Sequence, residues 1–355
     1  MIYTADPVKV LDEFATTTNK LAKGFETLRS ISTPELGTAL KKTVWKKDRI
    51  ELFHFCRETV ATVQTPVLLV YALVNRHHMM DIQPDRSLIR NLQASELDLY
   101  LINWSDPTPE DKYCTMEEYV NGYIDDAVNA IRRITQLKAI TLMGICQGGT
   151  FSVIYSALHP AKVKNLVTLV TPIDFHTPKD TLSLWARHLN ADALVNSYGN
   201  IPGELLNNGF DKLKPMLKTN KYLSILNSVD KEDQLLNFLR MERWIADSPN
   251  QAGECFRKFI KDLYQENKLI KGTFKLGNKT VNLKQVNMPL LNIYASEDHL
   301  VPPEASVPLN DLVGSTDKCL TKFQGGHIGV FVGSRSQKEL APAIALWLKE
   351  RDTHD

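Results

Sequence analysis

Short apolar runs separated by amphipathic stretches organise this chain. The run PVLLVYALV, Pro66 to Val74, is apolar throughout and predicts a buried strand, as does LDLYLINW from Leu97 to Trp104. Between Met116 and Ile134 the apolar positions Tyr119, Tyr123, Ala127, Ala130 and Ile134 recur near helical spacing. Ala139 to Met143 returns to a strand, and Thr150 to Leu158 reads as a helix. Asn165 to Ile173 and Pro289 to Ser296 are two further strands. Buried strands alternating with amphipathic helices predict an α/β fold with a mostly parallel sheet.

About 115 residues separate the last two strands, too many for a simple crossover. An inserted, mainly helical cap over residues 174–288 is expected, with helical pattern around Asp230 to Ala246 and Gln251 to Leu263 and turns at GNIPGE, Gly199 to Glu204. The core is then residues 46–173 and 289–355, and residues 1–45 read as an N-terminal helical extension.

Composition narrows the function classes. Across 355 residues, 42 basic side chains face 41 acidic ones, so no general electrostatic case exists for nucleic acid or an anionic membrane. Nothing at the N-terminus reads as a signal peptide, and no segment is long and apolar enough to be expected to span a bilayer. The five cysteines, Cys56, Cys114, Cys146, Cys255 and Cys319, lack C-x-x-C spacing, and their odd number argues against a complete disulfide framework. A cytoplasmic protein with free thiols is expected.

One cysteine stands apart. GICQGG, Gly144 to Gly149, follows a strand and precedes a helix in the layout of a G-x-S-x-G nucleophile turn, with Cys146 in the serine position. Such a sharp turn needs small neighbours two residues to either side, which Gly144 and Gly148 supply. It also leaves the Gln147 backbone N–H at a helix N-terminus, where it can face a developing oxyanion and help lower a thiol pKa from about 8.5. The second donor is expected from the loop after the first strand, near Val74 or Asn75.

In an α/β-hydrolase fold the acid and then the base follow the nucleophile. Asp298, after LLNIYASE, and His327, in QGGHIG, lie 152 and then 29 residues further along and suit that order. In these roles His327 takes the proton from Cys146, and Asp298 orients the imidazole or acts through it on a second substrate. Glu297 and Asp174 compete with Asp298, and His299 with His327. The remaining cysteines read as structural. His77-His78 reads as a loop rather than a metal site, because adjacent side chains diverge and no third ligand is evident.

A thiol rather than a hydroxyl changes the chemistry. Exchange of a thioester substrate onto Cys146 is nearly energy-neutral, so the acyl-enzyme remains an activated donor that can go on to acylate an alcohol. That points to an acyltransferase using a thioester such as acyl-CoA.

From VYALVNR (Val70 to Arg76) to the C-terminus the chain resembles the catalytic subunit of a polyhydroxyalkanoate synthase, most closely the short class III type. The resemblance rests on DIQPDRS (Asp81 to Ser87), GICQGG, VTPIDF (Val170 to Phe175), GNIPGELLN (Gly199 to Asn207), RMERWIADSPNQAGE (Arg240 to Glu254), EDHLVPP and GGHIG. It implies that a short-chain (R)-3-hydroxyacyl-CoA acylates Cys146 with release of CoA, and that the 3-hydroxyl of a bound unit attacks the growing thioester to extend a polyester. It implies His327 as activator of Cys146 and Asp298 as helper in activating the substrate hydroxyl, with no metal or prosthetic group. It also implies a second, noncatalytic subunit (E-type) in a homo- or hetero-oligomer on the surface of cytoplasmic polyester granules. The sequence departs from the family pattern at Asn103-Trp104-Ser105 and at His77-His78. Alternatives are a Cys-nucleophile thioesterase or other hydrolase of the same fold, and a noncatalytic granule-surface scaffold.

Overall fold

The computed structural model describes residues 7–30, 33–57, 61–178, 180–213, 225 and 231–352. Asp230, expected to begin a helix, and residues 214–224 of the expected cap lie outside the described residues.

Among the described residues the centre is an eight-stranded sheet of order β1-β2-β4-β3-β5-β6-β7-β8. Its strands are β1 (Lys41–Lys47), β2 (Ile50–Phe55), β3 (Val67–Val70), β4 (Leu99–Asn103), β5 (Ile140–Ile145), β6 (Val163–Leu169), β7 (Leu290–Ala295) and β8 (Lys318–Phe323). Pairing is parallel from β4 through β8, while β2 runs antiparallel to both β1 and β4. The mostly parallel sheet is the expected architecture. Its antiparallel end departs from the helical extension expected up to residue 45: α1 covers Pro7–Ser30, but Lys41–Lys47 is already strand.

Apolar side chains on the two faces of the central strands feed separate cores. Leu68 and Val70 of β3 join Ile140 and Leu142 of β5 on one face, beneath α3 (Asp125–Thr135) and α4 (Gln147–Leu158). Val67 and Leu69 join Met143 and Ile145 on the other, beneath α2 (Leu88–Ala94) and the C-terminal helix Ala341–Lys349. With both faces covered, the strands read as continuous apolar runs instead of alternating patterns. Among the buried polar side chains of the sheet, Thr168 Oγ1 donates to Asn292 Oδ1 at 2.9 Å and Asn165 Nδ2 to Thr141 Oγ1 at 3.1 Å.

Between β6 and β7 stand α5 (Thr181–His188), α6 (Ala191–Tyr198), α7 (Gly203–Leu213), α8 (Glu232–Ala246) and α9 (Gly253–Lys258), which runs on as a π-helical stretch, Phe259–Gln265. Ala186, Ala191, Val195, Ile201, Phe256 and Ile260 form a small core of their own here. Two of the long sequence motifs meet in this segment. Ile201 and Gln251 exchange backbone hydrogen bonds of 2.8 and 2.9 Å, and a Cβ on Gly253 would lie 2.1 Å from the Gly199 carbonyl oxygen. Those motifs therefore serve each other's packing before any chemistry.

Candidate active site

Cys146 sits at the turn between β5 and α4 with φ 52° and ψ −126°, a region that costs a non-glycine residue of order 1–3 kcal/mol. The neighbours explain how the turn closes. A Cβ on Gly148 would stand 2.2 Å from the Val70 carbonyl oxygen, and one on Gly144 would stand 2.4 Å from Gly149 Cα. The third glycine, Gly149, matters as much, because its Cβ would lie 1.9 Å from Thr171 Oγ1. Sequence reasoning assigned no role to Gly149, although the doubled glycine in GICQGG carries the signal.

The VTPIDF motif supports this turn from the neighbouring strand end. Val170 takes φ 46°, unusual for a β-branched residue, Thr171 packs on Gly149, and Thr150 Oγ1 donates to Pro172 O at 2.7 Å. The Cys146 N–H is bonded to Leu169 O at 2.9 Å, so the Cys146 turn is tied to the end of β6.

His327 and Asp298 come from the loops after β8 and β7. His327 Nδ1 and Asp298 Oδ2 are 2.6 Å apart, and Asp298 Oδ1 accepts the Leu300 and Val301 N–H groups at 2.8 and 2.9 Å. Both carboxylate oxygens are thus engaged, and the side chain is fully buried. With Nδ1 committed to Asp298, Nε2 is the nitrogen left to face Cys146, whose charge acts on the ring. Phe331 backs this arrangement, packing edge-on against both His327 and Tyr71 at 6.3 Å.

The rival residues are elsewhere. Asp174 Oδ1 accepts from the His176 N–H and from Asn267 Nδ2, while Glu297 accepts from Gln324. His299 adjoins Asp298 in the chain, but Asp298 faces His327. Cys255 is buried, and burial pushes the Cys114 thiol up to about 12, so neither is an activated nucleophile. His77 is buried against Phe53 and His78, and burial holds its pKa well below 6.5.

Burial by itself disfavours the His327 imidazolium, but Asp298 and Cys146 outweigh it and raise the pKa from 6.5 to about 10. A folded value above the unfolded one means that the imidazolium's contribution to stability is complete below about pH 6.5 and is lost as pH rises through about 10. The melting temperature should therefore fall across that window, and more gently in Asp298→Asn, where the countercharge is gone. A pH slope unchanged by Asp298→Asn would show that this carboxylate does not hold the imidazolium.

On the oxyanion side, the Gln147 N–H opens α4 and has no hydrogen-bond partner among the described residues. The loop after β3 approaches the same turn. Leu73 N donates to the Gln147 side chain at 3.0 Å, so this N–H is occupied, whereas the Val74 and Asn75 N–H groups have no partner among the described residues. Asn75 takes φ 57°, and Val74 packs in the same cluster as Cys146. The tethering role of the Gln147 side chain was not legible from sequence, where only its backbone entered the argument.

Two buried tyrosines respond to the charge of Cys146. Burial, reinforced by the charge of Cys146, raises the pKa of Tyr71; burial, reinforced by Asp180 and Cys146, does the same for Tyr264. Both remain protonated. Trp104 Nε1 donates to Tyr71 O at 2.9 Å, so the tryptophan of Asn103-Trp104-Ser105 is tied to the end of β3. Tyr264 belongs to the inserted segment and packs on Phe175 with ring centroids 4.8 Å apart.

Residues 65–334 match the family model described as alpha/beta hydrolase fold, and residues 14–92 match that of the poly-beta-hydroxybutyrate polymerase (PhaC) N-terminus. The chain is 48% identical over 347 residues to the poly(3-hydroxyalkanoate) polymerase subunit PhaC of Thiocystis violacea, covering 97% of this chain and 98% of the relative. It is 48% identical over 348 residues to that of Allochromatium vinosum, with the same coverage. Among solved structures it is similar to a monoacylglycerol lipase of Paleococcus ferrophilus, with TM-score 0.52, 15% identity, and coverage of 86% of this chain and 100% of that one. At that identity the likeness is one of fold alone.

Proposed function

This chain belongs to the poly(3-hydroxyalkanoate) polymerase PhaC family, and we propose that it extends polyester from short-chain (R)-3-hydroxyacyl-CoA by covalent catalysis at Cys146. It is an acyltransferase subunit of the α/β-hydrolase fold. The observation that carries the mechanism is the hydrogen bond between His327 and Asp298, from the loops after β8 and β7, together with Cys146 at the strained strand-to-helix turn.

In the first half-reaction the Cys146 thiolate attacks the substrate thioester carbonyl, the C–S bond to CoA breaks, and His327 returns its proton to the departing thiolate. The oxyanion formed on the way is met by the Gln147 N–H and by that of Val74 or Asn75. In the second, the 3-hydroxyl of another unit attacks the acyl-enzyme, giving its proton to His327 as the Cys146 sulfur is released. Asp298 acts through the imidazole, a reading supported by the engagement of both its oxygens.

Transfer requires that water be kept out, since each hydrolytic event ends a chain. Residues 174–288 are proposed as the cover, between core segments 46–173 and 289–355. Phe259 supports this, because it packs on Tyr264 and edge-on against Phe151 of α4, the helix that follows Cys146. The two relatives are described as subunits, and a second, noncatalytic subunit is proposed for this chain also, at the surface of cytoplasmic polyester granules. No helix among the described residues is long and apolar enough to cross a membrane.

The test is to incubate the purified chain, alone and with a candidate second subunit, with (R)-3-hydroxybutyryl-CoA, following thiol release and analysing the product. Free CoA with insoluble polyester, accelerated by the partner, is expected. Free CoA with only monomeric hydroxy acid would make water the acceptor and the protein a thioesterase.

A further inference from the structure

The loop that carries the second candidate oxyanion donor is held from two sides. On the core side Leu73 N is bonded to the Gln147 side chain. On the other side the hold comes from residues 244–248, at and just beyond the C-terminal end of α8. Trp244 Nε1 donates to Arg76 O at 2.7 Å, and Arg76 Nε meets Asp247 Oδ1 at 2.7 Å. Asn75 Nδ2 donates to Ser248 Oγ at 2.5 Å. Ser248 is itself anchored, donating to Ile245 O at 3.1 Å, and Asn207 Nδ2 donates to the same carbonyl at 2.7 Å. A Cβ on Gly203 would lie 2.3 Å from Ser248 O, so α7 also presses on this corner.

We propose that Ser248 is a positioning residue for acyl transfer: through Asn75 it holds the Val74–Asn75 backbone so that its free N–H groups face the thioester oxygen above Cys146. The inference rests on the reading of Cys146 as nucleophile and adds to it that the inserted segment completes the oxyanion site. The need for a hold is physical. Asn75 lies in the left-handed region, which a non-glycine residue leaves readily once nothing fixes its side chain, and a turn that relaxes swings its N–H groups away. An oxyanion donor is worth about 10²–10³ in rate, and one that is retained but loosely aimed forfeits part of that. The motif RMERWIADSPNQAGE thus has a share in the chemistry through its Trp244, Asp247 and Ser248.

Ser248→Ala is expected to lower the rate of CoA release from (R)-3-hydroxybutyryl-CoA about ten-fold in kcat with KM little changed. Ser248→Thr, which keeps the hydroxyl, should restore most of it. The decisive comparison is alkylation of Cys146 by iodoacetamide, mapped by peptide mass. Displacement at a saturated carbon develops no oxyanion, so this rate should stay within about two-fold of wild type while acylation falls. Asp247→Asn, a partly exposed change that leaves the fold intact, should show the same signature more weakly.

Wild-type kcat in Ser248→Ala, or alkylation changing in parallel with acylation, would overturn the proposal, the latter pointing to access instead of alignment. Failure of the underlying reading looks different: CoA release that persists in Cys146→Ala removes the nucleophile itself, whatever Ser248 does.

Discussion

Cys146→Ala should abolish CoA release, by about 10⁴-fold or more, while the protein stays folded. The side chain lost is small and only partly buried, at a turn whose geometry is set by glycine packing, so little cohesion goes with it. Circular dichroism and a thermal melt check the fold, and a thiol-trapping assay checks turnover. Normal CoA release by the alanine variant would remove Cys146 from the mechanism. Cys146→Ser is the sharper companion. It keeps a hydroxyl beside His327, but the ester it forms is a much poorer acyl donor than a thioester. Nearly all polymerisation should be lost even where slow acylation is seen by intact mass. Near-normal polymer yield from the serine variant would defeat the argument that the thiol is there to preserve acyl activation.

The second large effect is expected at His327. His327→Gln should lower acylation by about 10³–10⁴-fold, because the thiol loses the base that takes its proton and the cation that steadies the thiolate. Asp298→Asn should cost about 10²–10⁴-fold, since an amide facing Nδ1 can favour the wrong tautomer and cannot balance an imidazolium. The double variant should be little worse than His327→Gln alone, because the two residues act as one unit. Single-turnover release of CoA with mass detection of the acyl-enzyme measures each rate. Multiplicative losses would separate Asp298 from His327 and assign it an independent duty at the substrate hydroxyl.

Much of the core was legible because a parallel sheet buried on both faces writes itself as uninterrupted apolar runs. Val67–Val70 lies inside such a run, Leu290–Ala295 lies inside one broken only by Asn292, and Ile140–Ile145 overlaps the expected Ala139 to Met143 and continues two residues past it. The first two strands escaped notice for the converse reason. KKTVWKK is an edge strand with its lysines largely exposed, and IELFHF mixes polar and apolar positions. The π-helical stretch Glu118–Ile124 left only an approximate helical period.

By itself the sequence determined the strand-turn-helix around Cys146, since the glycines of GICQGG admit no larger neighbours, and it determined the order in which an acid and a base follow. It did not determine which acid. Asp174, Glu297 and Asp298 all stand just after strands, and only the meeting of the loops beyond β7 and β8 put Asp298 at 2.6 Å from His327 while Asn267 and Gln324 took up the other two. Nor did it show that Gln147 and Ser248, about a hundred residues apart, grip one loop from opposite sides. Local backbone geometry is encoded in neighbouring residues and can be read along the chain. The pairing of side chains carried by distant loops depends on how the sheet orders its strands and where the inserted helices come to rest.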